Sequence, residues 1–97
     1  MITTDKEFFF VQNGQRIVAP IGSEIYVMVQ DFMDGDVGAV GLIQQTVGNI
    51  KQEVGRFGVG RVVGLKMDAP DILSQCHTAV KTGLELANPT LTFTINI

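Results

Sequence analysis

Between residues 40 and 57 the apolar residues Val40, Ile43, Val47, Ile50, Val54 and Phe57 recur at spacings of 3, 4, 3, 4 and 3. This repeat marks one stripe of an amphipathic helix. It is the clearest periodic signal in the chain and predicts a helix over 36–55. Asp34 or Asp36 would accept hydrogen bonds from the free N–H groups of the first turn, and Gly55 or Gly58 would end the helix. Gly41, Gly48 and Gly55 then fall every seven residues along one flank, each costing about 0.8–1.0 kcal/mol of helix propensity relative to Ala. Three such costs on one line imply close approach by the sheet, by a second helix through Gly83, or by another subunit. A pair of short strands is the alternative for this stretch.

On either side of it the pattern changes to strands. In EFFFVQNGQRIVAP, Asn13 and Gly14 supply the positive φ angles of a two-residue turn, which sets Phe10 opposite Ile17 and Phe9 opposite Val18. Phe8, Phe9 and Phe10 in a row place aromatic rings on both faces of one strand, so the side away from the core needs cover from a second layer or a second chain. SEIYVMVQDF alternates Ile25, Val27 and Val29 against Tyr26, Met28 and Gln30. RFGVGRVVGLKM sets Phe57, Val59, Val63, Leu65 and Met67 against Gly58, Gly60, Val62 and Gly64, a strand with one nearly bare face. DAPDILSQCHTAVKTGLELAN predicts a second helix, with Asp68 as N-cap, Pro70 in the first turn, Asp71 completing the cap, and Cys76, Val80 and Leu86 on a broad apolar face. TLTFTINI closes the chain as a strand with Leu91, Phe93, Ile95 and Ile97 toward the core.

The expected fold is a single α+β domain over 1–97, ordered β-β-β-α-β-α-β. It is a two-layer sandwich in which two helices pack on one face of a mainly antiparallel sheet. The 97 residues suffice for a modest core, and 45% of them are hydrophobic while only 18% are charged. So little charge implies that a partner, or another copy of the chain, covers part of the surface. A net charge of −3 with dispersed Lys and Arg disfavours nucleic-acid binding. No apolar run reaches the roughly 18 residues of a membrane-spanning helix. One cysteine and no leader-like start suggest a reducing cytoplasm, and both chain ends are expected to be held in place.

No motif supplies a catalytic set, a cofactor loop or a metal site. GDVGAVG fits neither the dinucleotide nor the P-loop pattern, and its carboxylates would repel a phosphate. Asp31, Asp34 and Asp36 invite a calcium reading, but Leu42 stands where the bidentate Glu of an EF-hand loop belongs. Cys76 and His77 are adjacent, and adjacent helical residues point about 100° apart, too far for a dyad. Cys76 is expected to be buried, His77 to lie at the surface or an interface, and Arg61 to sit at a sheet edge or subunit contact.

The expectation is a self-associating structural subunit, such as a bacteriophage capsid decoration, head–tail or tail protein. It would contact its copies, or a larger shell or tube, through Phe9, Gly41, Leu42, Gly48, Gly55, Gly58, Gly60, Arg61 and Gly64. Two alternatives stand beside it. One is an oligomeric small-molecule-binding protein or enzyme whose site forms between subunits from Arg61, His77, Tyr26 and the acids around Asp34. The other is a monomeric inhibitor or adaptor of a host protein.

Overall fold

The computed structural model describes residues 1–32 and 35–96. Eight elements follow in chain order: β1 (Ile2–Thr3), β2 (Phe8–Gln12), β3 (Gln15–Ala19), β4 (Glu24–Asp31), β5 (Asp36–Val47), β6 (Ile50–Lys66), α1 (Ile72–Ala87) and β7 (Thr94–Ile95). β6, β5, β4, β1 and β7 form a five-stranded antiparallel sheet in that spatial order, and β2 pairs with β3 in a separate two-stranded sheet. The fold is thus α+β with an antiparallel sheet. Among the described residues there is one helix where two were expected.

The predicted first helix is the correction. Residues 36–66 form a long hairpin, with Gly48 and Asn49 as its two-residue turn. Gly48 has φ +63° and Asn49 a negative φ, as a type II′ turn requires. Along β5 the buried Val37, Ala39, Gly41 and Ile43 alternate at period two, with Gly38 buried as well beside the irregular register. Val47 and Ile50, members of the apparent helical stripe, are 52% and 66% exposed. Local preference explains the outcome. A helix over 36–55 would carry Gly38, Gly41, Gly48 and Gly55, together with the β-branched Val37, Val40, Ile43, Thr46, Val47, Ile50 and Val54. Both residue classes lower helix propensity, and the second favours strands.

The remaining elements are set by local signals. Asn13 and Gly14 both have positive φ, and Phe9 pairs with Val18 and Phe10 with Ile17 as the turn dictates. The helix starts later than expected. Asp71 holds its N-cap position and Asp68 and Pro70 precede it. The Asp71 carboxylate accepts from Gln75 Nε2 at 2.7 Å and caps no backbone N–H. Of the expected C-terminal strand only Thr94–Ile95 forms, where β7 pairs with β1. Met1 and Asn96 exchange two backbone bonds of 2.7 Å there. Phe93 is buried and Leu91 and Ile95 are half-buried, while Ile97 lies outside the described residues.

The helix and the β2–β3 hairpin pack side by side on one face of the large sheet, and glycines make room for both. A Cβ on Gly41 would lie 2.9 Å from Ile25 Cγ2 and 3.0 Å from Val80 Cγ1 of the helix. One on Gly55 would lie 2.7 Å from the Phe10 ring. Gly83 likewise lets the Phe57 ring approach the helix. Between the two layers Phe8 meets Phe93 edge-on with centroids 5.3 Å apart, and Ile2, Ile25, Ile43 and Leu84 complete the centre.

Two polar contacts tie the hairpin to its neighbours, one to the helix and one to the large sheet. Asn88, the C-cap residue, is 5% exposed: its Oδ1 accepts from Phe9 N at 2.8 Å, and its Nδ2 donates to Phe9 O and Leu84 O, each at 2.9 Å. Gln12 Oε1 accepts from Arg56 N at 2.9 Å, joining the hairpin end to β6. In the last turn of the helix, Glu85 accepts from Phe93 N and from Lys81 Nζ, each at 3.2 Å. The Phe93 N–H first and the Lys81 ammonium second hold its carboxyl below the ordinary glutamate range.

Gly55→Ala forces the Phe10 ring to move and is expected to destabilise the fold by about 1–3 kcal/mol in urea unfolding. Gly58→Ala, with nothing within 4 Å of its Cβ, is expected to stay within about 0.5 kcal/mol of the parent. The folded carboxyl of Glu85 titrates below its unfolded value, so its contribution is complete above about pH 4.3 and lost as pH falls through the lower folded value. Glu85→Gln is therefore expected to flatten the acid limb of stability against pH, measured by urea midpoints across that range.

Candidate functional site

The residues expected at an interface fall into three groups. Gly41 and Gly55 face inward, and their bareness serves the helix and Phe10 of the same chain. Gly48, Gly60 and Gly64 hold backbone with φ of +63°, +76° and +79°, the first in the hairpin turn and the others along β6. The outward-facing residues are Phe9, Leu42, Gly58 and Arg61. Leu42 pairs with Tyr26, and Val40 with both Met28 and Gly58, so these residues share the outer face of the sheet, opposite the helix. Tyr26, Val40 and Leu42 are half-buried there, and Met28 is exposed.

Phe9 points away from the core, as its neighbours Phe8 and Phe10 require. The Arg16 guanidinium covers it, 3.7 Å from the ring centroid. Beside them lies an open groove of about 300 Å³ lined by Glu7, Phe9, Arg16, Asn88 and Leu91, among others. A second depression of about 400 Å³ is bordered by Thr3, Thr4, Asp5, Thr92 and Thr94. Neither holds a buried charged side chain that could orient a ligand.

Arg61 lies on β6, the edge strand of the sheet, where the ladder is irregular: β5 passes from Asp36 to Gly38 while β6 passes from Lys66 to Arg61. Its guanidinium sits 4.8 Å from the Phe32 ring centroid and 3.8 Å from Asp36 Oδ2, and Lys66 pairs with the same carboxylate. Asp36, expected to help cap a helix, is thus held by two cations in a strand. Asp34, expected to cap a helix and part of the alternative site between subunits, lies outside the described residues, as does the side chain of Val63. Among the described residues no group of three or more His, Cys, Asp or Glu could hold a metal ion.

The combination of Arg61, His77 and Tyr26 is not brought together within the chain. Tyr26 is on the outer face of the sheet, and its hydroxyl accepts from Lys51 Nζ at 2.6 Å. That bond raises the Lys51 ammonium above its ordinary value. His77 is on the helix, on the opposite face. It is 5% exposed, which corrects the expected surface position, and its Nδ1 lies 2.7 Å from Leu73 O. The reason is that His77, Val80 and Leu84 form one buried stripe at spacings of 3 and 4.

Cys76 is fully buried, with Sγ 3.9 Å from Gly38 O, and burial pushes its thiol up from the ordinary value. A thiol without a cationic neighbour or solvent access is chemically quiet. Two contacts escaped sequence reasoning. The Lys51–Tyr26 bond spans strands 25 positions apart. The Asn88 amide had only one signal, an Asn before Pro at a helix end. No helix among the described residues is long and apolar enough to cross a membrane. Comparisons with protein-family models, with curated proteins and with solved structures each find no match.

Cys76 is expected to resist an aromatic disulfide reagent in the native protein and to react stoichiometrically in denaturant, followed by absorbance of the released thiolate. Rapid native labelling would show that the helix leaves the sheet readily.

Proposed function

We propose that this chain is a self-associating structural subunit that works by packing against copies of itself, and that its setting is a larger protein shell or tube such as a bacteriophage virion. The observation that carries this reading is the free end of the β5–β6 hairpin. Pairing of β4 with β5 ends at Glu24 and Gln44, while β5 and β6 continue to pair through Val47 and Ile50. The last rungs therefore form an arm beyond the body of the sheet. At its tip a cross-strand pair of branched aliphatic side chains stands in water, where polar residues would cost nothing. An apolar pair on a projecting arm is suited to burial against another chain.

The outer sheet face around Tyr26, Met28, Val40 and Leu42 supports the same reading. It is partly apolar, lies opposite the layer formed by the helix and hairpin, and is flattened by Gly58. A second copy is the occupant proposed for both surfaces. The reading needs no reaction centre, in keeping with two open, shallow grooves that lack a buried charge.

Sedimentation velocity over a wide concentration range tests it. The parent chain is expected to associate as concentration rises and to remain associated in high salt, because the contact is apolar and escapes screening. Val47→Ser with Ile50→Ser is expected to shift the population to monomer by at least about tenfold in dissociation constant, equivalent to roughly 1.4 kcal/mol, with an unchanged circular dichroism spectrum. A parent that stays monomeric at every concentration would sink the proposal.

A further inference from the structure

The Asn13–Gly14 turn carries a reactive pair of groups that the fold leaves open. Asn13 and Gly14 are both exposed at the end of the β2–β3 hairpin, with φ of +51° and +76°. The ladder ends at the Gln12–Gln15 pair, so the Gly14 N–H projects beyond it, and among the described residues it has no hydrogen-bond partner. Beyond its chain neighbours nothing lies within 4 Å of where a Gly14 Cβ would be, so the tip of the turn is open to solvent.

We propose that this turn is a site of spontaneous covalent modification, in which Asn13 cyclises to a succinimide and then opens to aspartate or isoaspartate. The Gly14 nitrogen gives its proton to hydroxide or water and attacks Asn13 Cγ, forming a new C–N bond. The carboxamide C–N bond breaks and ammonia leaves. Water then adds to either ring carbonyl and opens the ring, and no oxidation or reduction is involved.

The other asparagines are less suited. Asn88 precedes Pro89, which has no N–H to serve as nucleophile, and its amide is buried and fully engaged. Asn49 and Asn96 precede isoleucines, whose branched Cβ crowds the attacking nitrogen.

The modification acts on the fold through the turn. Isoaspartate routes the backbone through Cγ and lengthens a two-residue loop whose size sets the strand register. Gln12, the residue immediately before the turn, holds Arg56 N through its side chain. Conversion to isoaspartate therefore loosens the contact between the hairpin and β6. Ring closure also requires Asn13 to leave its turn conformation, so the folded chain reacts more slowly than the unfolded one while keeping its selectivity for Asn13.

The test is incubation of the intact folded protein at mildly alkaline pH, followed by tryptic mapping. The peptide Glu7–Arg16 is expected to gain about 1 Da and to accept methyl groups from an isoaspartyl methyltransferase, while Ile17–Lys51, which contains Asn49, stays unchanged. Asn13→Gln is expected to abolish the gain, and exchange of the Arg56 amide is expected to quicken in the aged parent alone. An unchanged mass in the folded protein, or an equal gain in Ile17–Lys51, would overturn the proposal.

Discussion

The side chain of Asn88 is where the helix and the small sheet meet. One amide group ends the helix by donating to Leu84 O and satisfies both backbone groups of Phe9 on the edge of β2, acting there as a neighbouring strand would. Each such bond contributes about 0.5–1.5 kcal/mol net, but a buried N–H or C=O left unpaired costs about 1–3 kcal/mol. Removing the amide therefore strands several groups at once. With Phe9 fixed, β2 has only one orientation available: Phe8 and Phe10 turn into the core, and Gln12 reaches Arg56 at the far end of the strand. The placement of the small sheet beside the helix follows from that one residue.

Sharing one sheet face between a helix and a hairpin demands space, which the inner-facing glycines provide. Gly41 under Val80, Gly55 against Phe10 and Gly83 against Phe57 are three sites where one layer comes within van der Waals contact of another. The seven-residue spacing of Gly41, Gly48 and Gly55 thus reflects two close approaches and a turn, rather than a helix flank. Close approach was legible from the cost of so many glycines. Which surfaces approach was not, because the answer depends on partners distant in sequence.

The same division between local and distant information runs through the rest of the chain. The β2–β3 register, β4 and α1 were readable because each is specified within a dozen or so residues by turn chemistry or periodicity. The 36–66 hairpin was misread because a 3–4 spacing of Val and Ile is compatible with a helix face, and only β-branching and the turn potential of Gly48 argued otherwise. β1 pairs with β7 across nearly the whole chain, so no local window contains the reason for it; the alternation in TLTFTINI signalled a strand at β7 but not that only Thr94–Ile95 pairs. Cys76 was placed correctly by its helical face. His77 was not, although it stands in register with Val80 and Leu84 on the buried stripe of the same helix.

Edge geometry narrows how the proposed self-association would work. A 17-residue edge strand such as β6 invites pairing with another chain, and proteins blunt that risk with bulges and covering groups. β6 has register shifts opposite Asp36/Gly38, Ala39/Val40 and Ile43/Gln44, positive φ at Gly60 and Gly64, and Gln12 on the Arg56 N–H. These interrupt the straight ladder that a strand from a second chain would need. The arm bears no such interruption: from Gln44 to Val47 and from Ile50 to Glu53 the pairing is regular, and its tip carries the exposed apolar pair Val47 and Ile50. Association by side-chain burial at the arm and outer face is therefore favoured over sheet extension along β6, and it leaves the bulged region around Arg61 to its intramolecular contacts with Asp36 and Phe32.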